Sequence, residues 1–101
     1  MKTEQEILKD LEALGWKSEK QLQVKTYYYS DKLTDFLYLE KEEIEEKIGA
    51  MTFGKKYYIT INLTDKTYSA HTYFSLVAAP YNLTMKEHKL LNELFECYGW
   101  F

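Results

Sequence analysis

Two histidines, one cysteine and a run of glutamates are the side chains of this 101-residue sequence that chemistry would recruit first. A zinc site needs several His, Cys or carboxylate ligands converging on one ion. His71, His88 and Cys97 follow none of the spacings that gather such ligands: there is no C-x-x-C, no H-E-x-x-H and no EF-hand loop. His88 falls in the first turn of a C-terminal helix and reads as a surface or partly buried imidazole. His71 falls mid-strand on a polar face among tyrosines, which makes it a candidate for binding. Cys97 lies near a helix C-terminus, where the negative end of the dipole disfavours a thiolate, so it reads as a small core residue. No G-x-S-x-G is present, and the glycines form neither a G-x-G array nor a phosphate-binding loop. Glu42, Glu43, Glu45 and Glu46 are neighbouring carboxylates, but a short exposed segment gives them no cleft to separate their pKa values. The expectation is a protein that is not an enzyme and uses no cofactor and no metal.

Two surfaces are left to do something. The first is acidic: Glu40, Glu42, Glu43, Glu45 and Glu46 stand against Lys41 and Lys47. Such a surface is either an ordinary solvated face or a dock for a basic partner, where complementary charge raises the association rate. The second is rich in tyrosine. Tyr27, Tyr29, Tyr58, Tyr73 and His71 alternate with apolar residues and so share the polar side of their strands. Tyrosine is large, stiff and amphipathic, which suits protein interfaces and the stacking of single-stranded bases. All 13 basic residues are lysine and the net charge is −3. Arginine, the usual fork for phosphate and guanine, is absent, which favours a protein partner over nucleic acid. Whether the acidic segment covers the tyrosine face is left open by the sequence.

The elements that must position these residues centre on Lys55–Val77, KKYYITINLTDKTYSAHTYFSLV. Tyr57, Ile59, Ile61 and Leu63 alternate with polar positions, and after Thr64-Asp65-Lys66-Thr67 the alternation resumes through Tyr68, Ala70, Thr72, Phe74 and Leu76. This is a β-hairpin. A loop centred on Asp65-Lys66 sets Leu63 opposite Tyr68, Ile61 opposite Ala70, Ile59 opposite Thr72 and Tyr57 opposite Phe74. Both apolar faces then lie on one side. Without Asn-Gly or Asp-Gly the loop has either two or four residues.

Before it, Thr3 and Glu6 make a capping box for a helix over 4–14, with Ile7, Leu8, Leu11 and Leu14 as its stripe and Gly15 as its stop. QLQVKTYYYS, 21–30, reads as a strand with Leu22, Val24, Thr26 and Tyr28 on one face. DFLYLE, 35–40, reads as a second strand; the competing reading starts a helix through Leu33, Phe36, Leu37, Ile44 and Ile48. KEEIEEKI, 41–48, has helical propensity and is expected to form a short acidic helix ended by Gly49. Gly54 marks a bulge or bend, and AAPYN after Val77 is a connector stopped by Pro80. A last helix opens at Thr84 with a capping box to Glu87, runs to about Tyr98, and closes at Gly99 with Trp100 folding back on Phe95. The expected fold is one α+β domain over 1–101. An antiparallel sheet of about four strands, made of two hairpins, carries both terminal helices on one face, and the acidic helix lies between the hairpins.

With 46% hydrophobic residues the chain is expected to bury a real core, and with a single cysteine it has no internal disulfide. No apolar h-region and no run near ~20 apolar residues is present, so the expectation is a cytoplasmic protein that does not enter a membrane. The wealth of Lys, Tyr, Asn and Ile suits an AT-rich genome such as that of a low-GC Gram-positive bacterium or its phages. In this small, acidic, lysine- and tyrosine-rich character the chain resembles the accessory proteins of phages and mobile elements. Inhibitors of nucleic-acid-handling defence effectors, anti-CRISPR proteins included, are one group of these. The resemblance implies a module that binds and occupies a basic host protein. A single-stranded nucleic-acid binder using a Tyr/Lys sheet face and a homo-oligomer joined through its aromatics are the competing readings.

Overall fold

Thr3 opens the first helix as expected: the Glu6 N–H donates to its hydroxyl and the Glu6 carboxylate accepts from the Thr3 N–H. Helix α1 spans Glu4–Ala13, and Gly15 leaves it at φ +100°. The computed structural model describes residues 2–25, 32–49, 51–74 and 77–100. After α1 come β1 (Trp16–Lys25), β2 (Leu33–Ile48), β3 (Met51–Asn62), β4 (Thr67–Phe74), β5 (Val77–Pro80) and α2 (Met85–Cys97). The strands form one antiparallel meander in the order β1-β2-β3-β4-β5. The α+β class, the two hairpins and the terminal helices are as the pattern requires. The sheet has one short strand more than expected.

Both helices pack on one side. Ile7 and Leu11 of α1 and Leu90, Leu91, Leu94 and Phe95 of α2 enclose Trp16, Leu37, Leu39, Ile59 and Ile61 of the sheet. The principal extents are 46 × 40 × 20 Å. The shortest equals one helix layer on one sheet layer, so the molecule has two layers. At its C-terminus α2 closes as expected, with Gly99 at φ +75° and the Trp100 ring stacked 5.0 Å from that of Phe95.

The acidic helix does not exist. Residues 41–48 continue β2 and pair with β3, with Glu42 opposite Lys56 and Glu43 opposite Lys55. Helix propensity is a weak preference, and here it yields to a neighbouring strand that supplies ladder hydrogen bonds and opposite charge. β1 stops pairing at Lys41 and β4 stops at Lys56, so beyond these residues β2 and β3 are, among the described residues, paired only with each other, as a ribbon. Glu45 is the extra residue of a bulge between Ile44 and Glu46, beside Gly54 as anticipated.

Three smaller expectations are corrected. The central hairpin pairs Ile61 with Tyr68, Ile59 with Ala70 and Tyr57 with Thr72, two residues away from the expected register. A shift of two preserves the faces. Its cause is that the four-residue loop, 63–66, is centred on Thr64-Asp65, one residue earlier than expected. The Asn62 side chain accepts from the Asp65 N–H at 2.8 Å, and Lys66 takes φ +60°. Next, β1 begins at Trp16, before Gln21, and its register breaks between Gln21 and Val24. Gln23 there adopts φ +56° with its N–H on the Asp35 carboxylate at 2.9 Å, and Leu22, expected on the apolar face, is left 62% exposed. Finally, Val77–Pro80 is a strand on β4, where an edge position tolerates Pro80.

Candidate functional site

Phe36, Tyr38, Glu40 and Glu42 of β2 and Lys56, Tyr58 and Thr60 of β3 point away from the helices, because the alternating residues Leu37, Leu39, Ile59 and Ile61 are buried beneath them. Among the described residues no helix covers this second face. It carries two stacked ring pairs, Phe36 on Tyr38 at 5.4 Å and Tyr58 on His71 at 5.7 Å. All four are half-buried, held by their neighbours and still open to contact. Carboxylates run through the same surface. Glu40 lies opposite Tyr58, which lies opposite His71, so one cross-strand row reads Glu-Tyr-His. In the next row Glu42 lies opposite Lys56. Glu40 is 3.7 Å from Lys56, with both side chains about half exposed, 48% and 50%.

The structure thus merges parts of the two surfaces that the sequence kept apart. Glu40, Glu42, Tyr58 and His71 come together on one face. The acidic segment is a strand of the sheet and does not lie over the tyrosines. Glu43 falls on the opposite side and accepts from the Tyr57 hydroxyl at 2.8 Å. Glu45 and Glu46 sit in the ribbon, and Tyr73 pairs with Lys56 at the ribbon's base. Tyr27 and Tyr29 lie outside the described residues. Phe36 and Tyr38 belong to the face and were not singled out, although their alternation with Leu37 and Leu39 in DFLYLE is the signal that places them there. Among the described residues no group of three or more His, Cys, Asp or Glu could hold a metal ion. No helix among them is long and apolar enough to cross a membrane.

A second centre lies on the helix side, where the ribbon begins. Glu87, in the first turn of α2, is 1% exposed. Its carboxylate takes four donors, two on each oxygen: the Trp16 indole N–H at 2.6 Å and Lys41 Nζ at 3.3 Å on Oε2, the Tyr81 hydroxyl and the Thr84 N–H, both at 2.9 Å, on Oε1. Those donors satisfy the lone pairs of an ionised carboxylate. Burial pushes this carboxyl up. The Thr84 N–H, the indole, the Tyr81 hydroxyl and the Lys41 charge together outweigh burial and hold it below the usual 4.5. Burial and the Glu87 charge push the Tyr81 phenol well above its usual 10.0. Lys41 Nζ stands over three rings, 5.2 Å from Trp16, 5.3 Å from Tyr57 and 5.9 Å from Tyr81.

Sequence reasoning saw Glu87 only as a capping residue. Glu87 precedes Leu90, Leu91 and Leu94 by three, four and seven positions, which puts it on the buried stripe of its helix. A buried tryptophan also needs an acceptor for its N–H.

Compared with known proteins, the chain matches no family model, no curated protein and no solved structure.

Proposed function

We propose that this protein is a non-enzymatic protein-binding module that docks a basic partner through the helix-free face of its sheet. The observation that carries this reading is a face with half-buried aromatic pairs, Phe36–Tyr38 and Tyr58–His71, at its middle and with Glu40 and Glu42 beside them. Interface hot spots have this composition: rigid aromatics that desolvate on contact, with charges at the margin that steer approach. Glu40 next to Tyr58 opposes a phosphate backbone, so a protein partner fits the face better than a single strand of nucleic acid. With the compositional resemblance to phage and mobile-element accessory proteins, the partner class we propose is a basic, nucleic-acid-handling host protein. The protein would occupy it in the manner of an anti-CRISPR-type inhibitor.

The test is affinity capture with tagged protein from a low-GC Gram-positive lysate, with and without nuclease, repeated with Tyr38→Ser/Tyr58→Ser and Glu40→Gln/Glu42→Gln variants. The expected result is one basic protein retained after nuclease and lost with the tyrosine variant. The glutamine variant is expected to weaken capture most at low salt. Retention that disappears with nuclease would favour base stacking. Capture indifferent to both variants would remove this face from the function.

A further inference from the structure

Lys41 is held in a manner that a structural ion pair alone does not require. Its Nζ faces three aromatic rings within 6 Å and touches one carboxylate at 3.3 Å. Rings whose negative faces surround a cation, completed by an anion, are how proteins recognise alkylammonium groups. The walls come from separate parts of the chain: Trp16 begins β1, Tyr57 lies in β3, Tyr81 follows β5, and Glu87 lies in α2. The stem of Lys41 runs against the backbone of Gly15, where an added Cβ would stand 3.3 Å from its Cγ and Cδ. Trp16, Lys41 and Tyr57 occupy one cross-strand row, the last that β1 shares with β2. The next residues outward belong to the ribbon, and Tyr57 reaches into it through Glu43 at 2.8 Å.

We propose that Trp16, Tyr57, Tyr81 and Glu87 form an alkylammonium-binding site whose resident ligand is the chain's own Lys41, and that this occupancy latches the β2–β3 ribbon to α2. The tether makes the ligand intramolecular, so the site stays filled although the free ammonium would bind only weakly. Because the cage recognises the Lys41 charge, removing that charge opens the latch.

The test uses the full chain with Lys41→Ala, which leaves room for the fragment it removes. Amide hydrogen exchange at 42–43 and 55–56 and the Trp16 indole N–H resonance are followed with n-propylammonium chloride or sodium chloride at equal ionic strength. The expected result is ribbon exchange accelerated about tenfold by the substitution. Propylammonium in the tens of millimolar, roughly the affinity of a cage without its tether, restores both signals and sodium does not. Equal rescue by both salts, or unchanged ribbon exchange in Lys41→Ala, would overturn the proposal. Lys41→Met guards against a variant that fails to fold, since it keeps the stem and removes the charge. It should loosen the ribbon without rescue by propylammonium, and unchanged exchange there overturns the latch equally.

Discussion

Glu40 and Lys41 are adjacent in β2, and each makes an ion pair. Glu40 pairs with Lys56 at 3.7 Å on the open face, both side chains about half exposed, 48% and 50%. Lys41 pairs with Glu87 at 3.3 Å on the helix side, at 18% and 2% exposure. The chemistry is the same and the strand is the same; one step along it changes the solvent. In water the Coulomb attraction nearly cancels the cost of ordering two long side chains. Under α2 the same attraction is several times stronger, and a charge left alone there has no water to turn to. Tyr57 and Tyr58 repeat the contrast. The first walls the Lys41 site, and the second stacks on His71 in the open. One face of the sheet therefore spends its polar groups on stability. The other keeps them accessible.

The largest effect should come from Glu87→Ala. It leaves the Trp16 indole, the Tyr81 hydroxyl, the Thr84 N–H and the Lys41 ammonium without their shared acceptor, and should destabilise by about 3–5 kcal/mol in urea unfolding. Glu40→Gln should stay within about 0.5 kcal/mol of the parent. If the two were equal, the contrast between the faces would collapse. Thr84→Ala comes next at about 1 kcal/mol, because it removes only the hydroxyl that caps the Glu87 N–H at 3.2 Å.

Acid sharpens the comparison. The Glu87 carboxyl is held below 4.5 in the folded chain, so its contribution is fully present above 4.5 and is lost as pH falls through the lowered value. Asp65, held down by Lys32, and Glu6, held down by Thr3, titrate in the same direction at the surface. Urea midpoints between about pH 6 and pH 2.5 for the parent and for Glu87→Gln separate these contributions. The parent should lose more stability than the variant across that window. Parallel curves would mean that folding does not lower the Glu87 pKa, and a parent that gained stability in acid would mean that the carboxyl is protonated in the fold. On the alkaline side the raised Tyr81 favours its protonated form, a contribution present below 10.0 and lost as pH rises through the folded value.

What could be read from sequence divides by range. Capping boxes and the Gly-Trp closures are local, and both helices sit where Thr3, Glu6, Thr84 and Glu87 put them. Alternation fixes which face a residue takes, so Ile59 and Ile61 are buried as expected even though the hairpin register moved by two. KEEIEEKI shows where local reading stops. Its helix propensity is real, but the lysines that draw it into a ribbon come from Lys55-Lys56, across a turn. The Lys41 site is less legible still. Trp16, Lys41, Tyr57, Tyr81 and Glu87 span most of the chain, and only the meander and the placement of α2 bring them together.

The smallest stability effect and the largest functional one should fall on the same residues. Tyr58 stacks on His71 across the strands at 5.7 Å, and Tyr38 stacks on Phe36 along β2 at 5.4 Å, same-face contacts of which a cross-strand pair is worth about 0.2–1 kcal/mol. Replacing either tyrosine with Ser removes one such contact and uncovers no buried charge, so the urea midpoint should barely move. Binding should behave otherwise. An aromatic at the middle of an interface commonly costs about 2 kcal/mol or more when removed, close to thirtyfold in Kd. Tyr57→Phe, on the other face, keeps its ring over Lys41 and loses the 2.8 Å bond to Glu43, so it should leave binding untouched. Titrating the captured partner against Tyr58→Ser and Tyr57→Phe compares two neighbouring tyrosines with the sequence otherwise constant. If Tyr57→Phe weakened binding as much as Tyr58→Ser, the partner would be reading the helix side of the sheet, and the division between a stabilising face and a binding face would have to be given up.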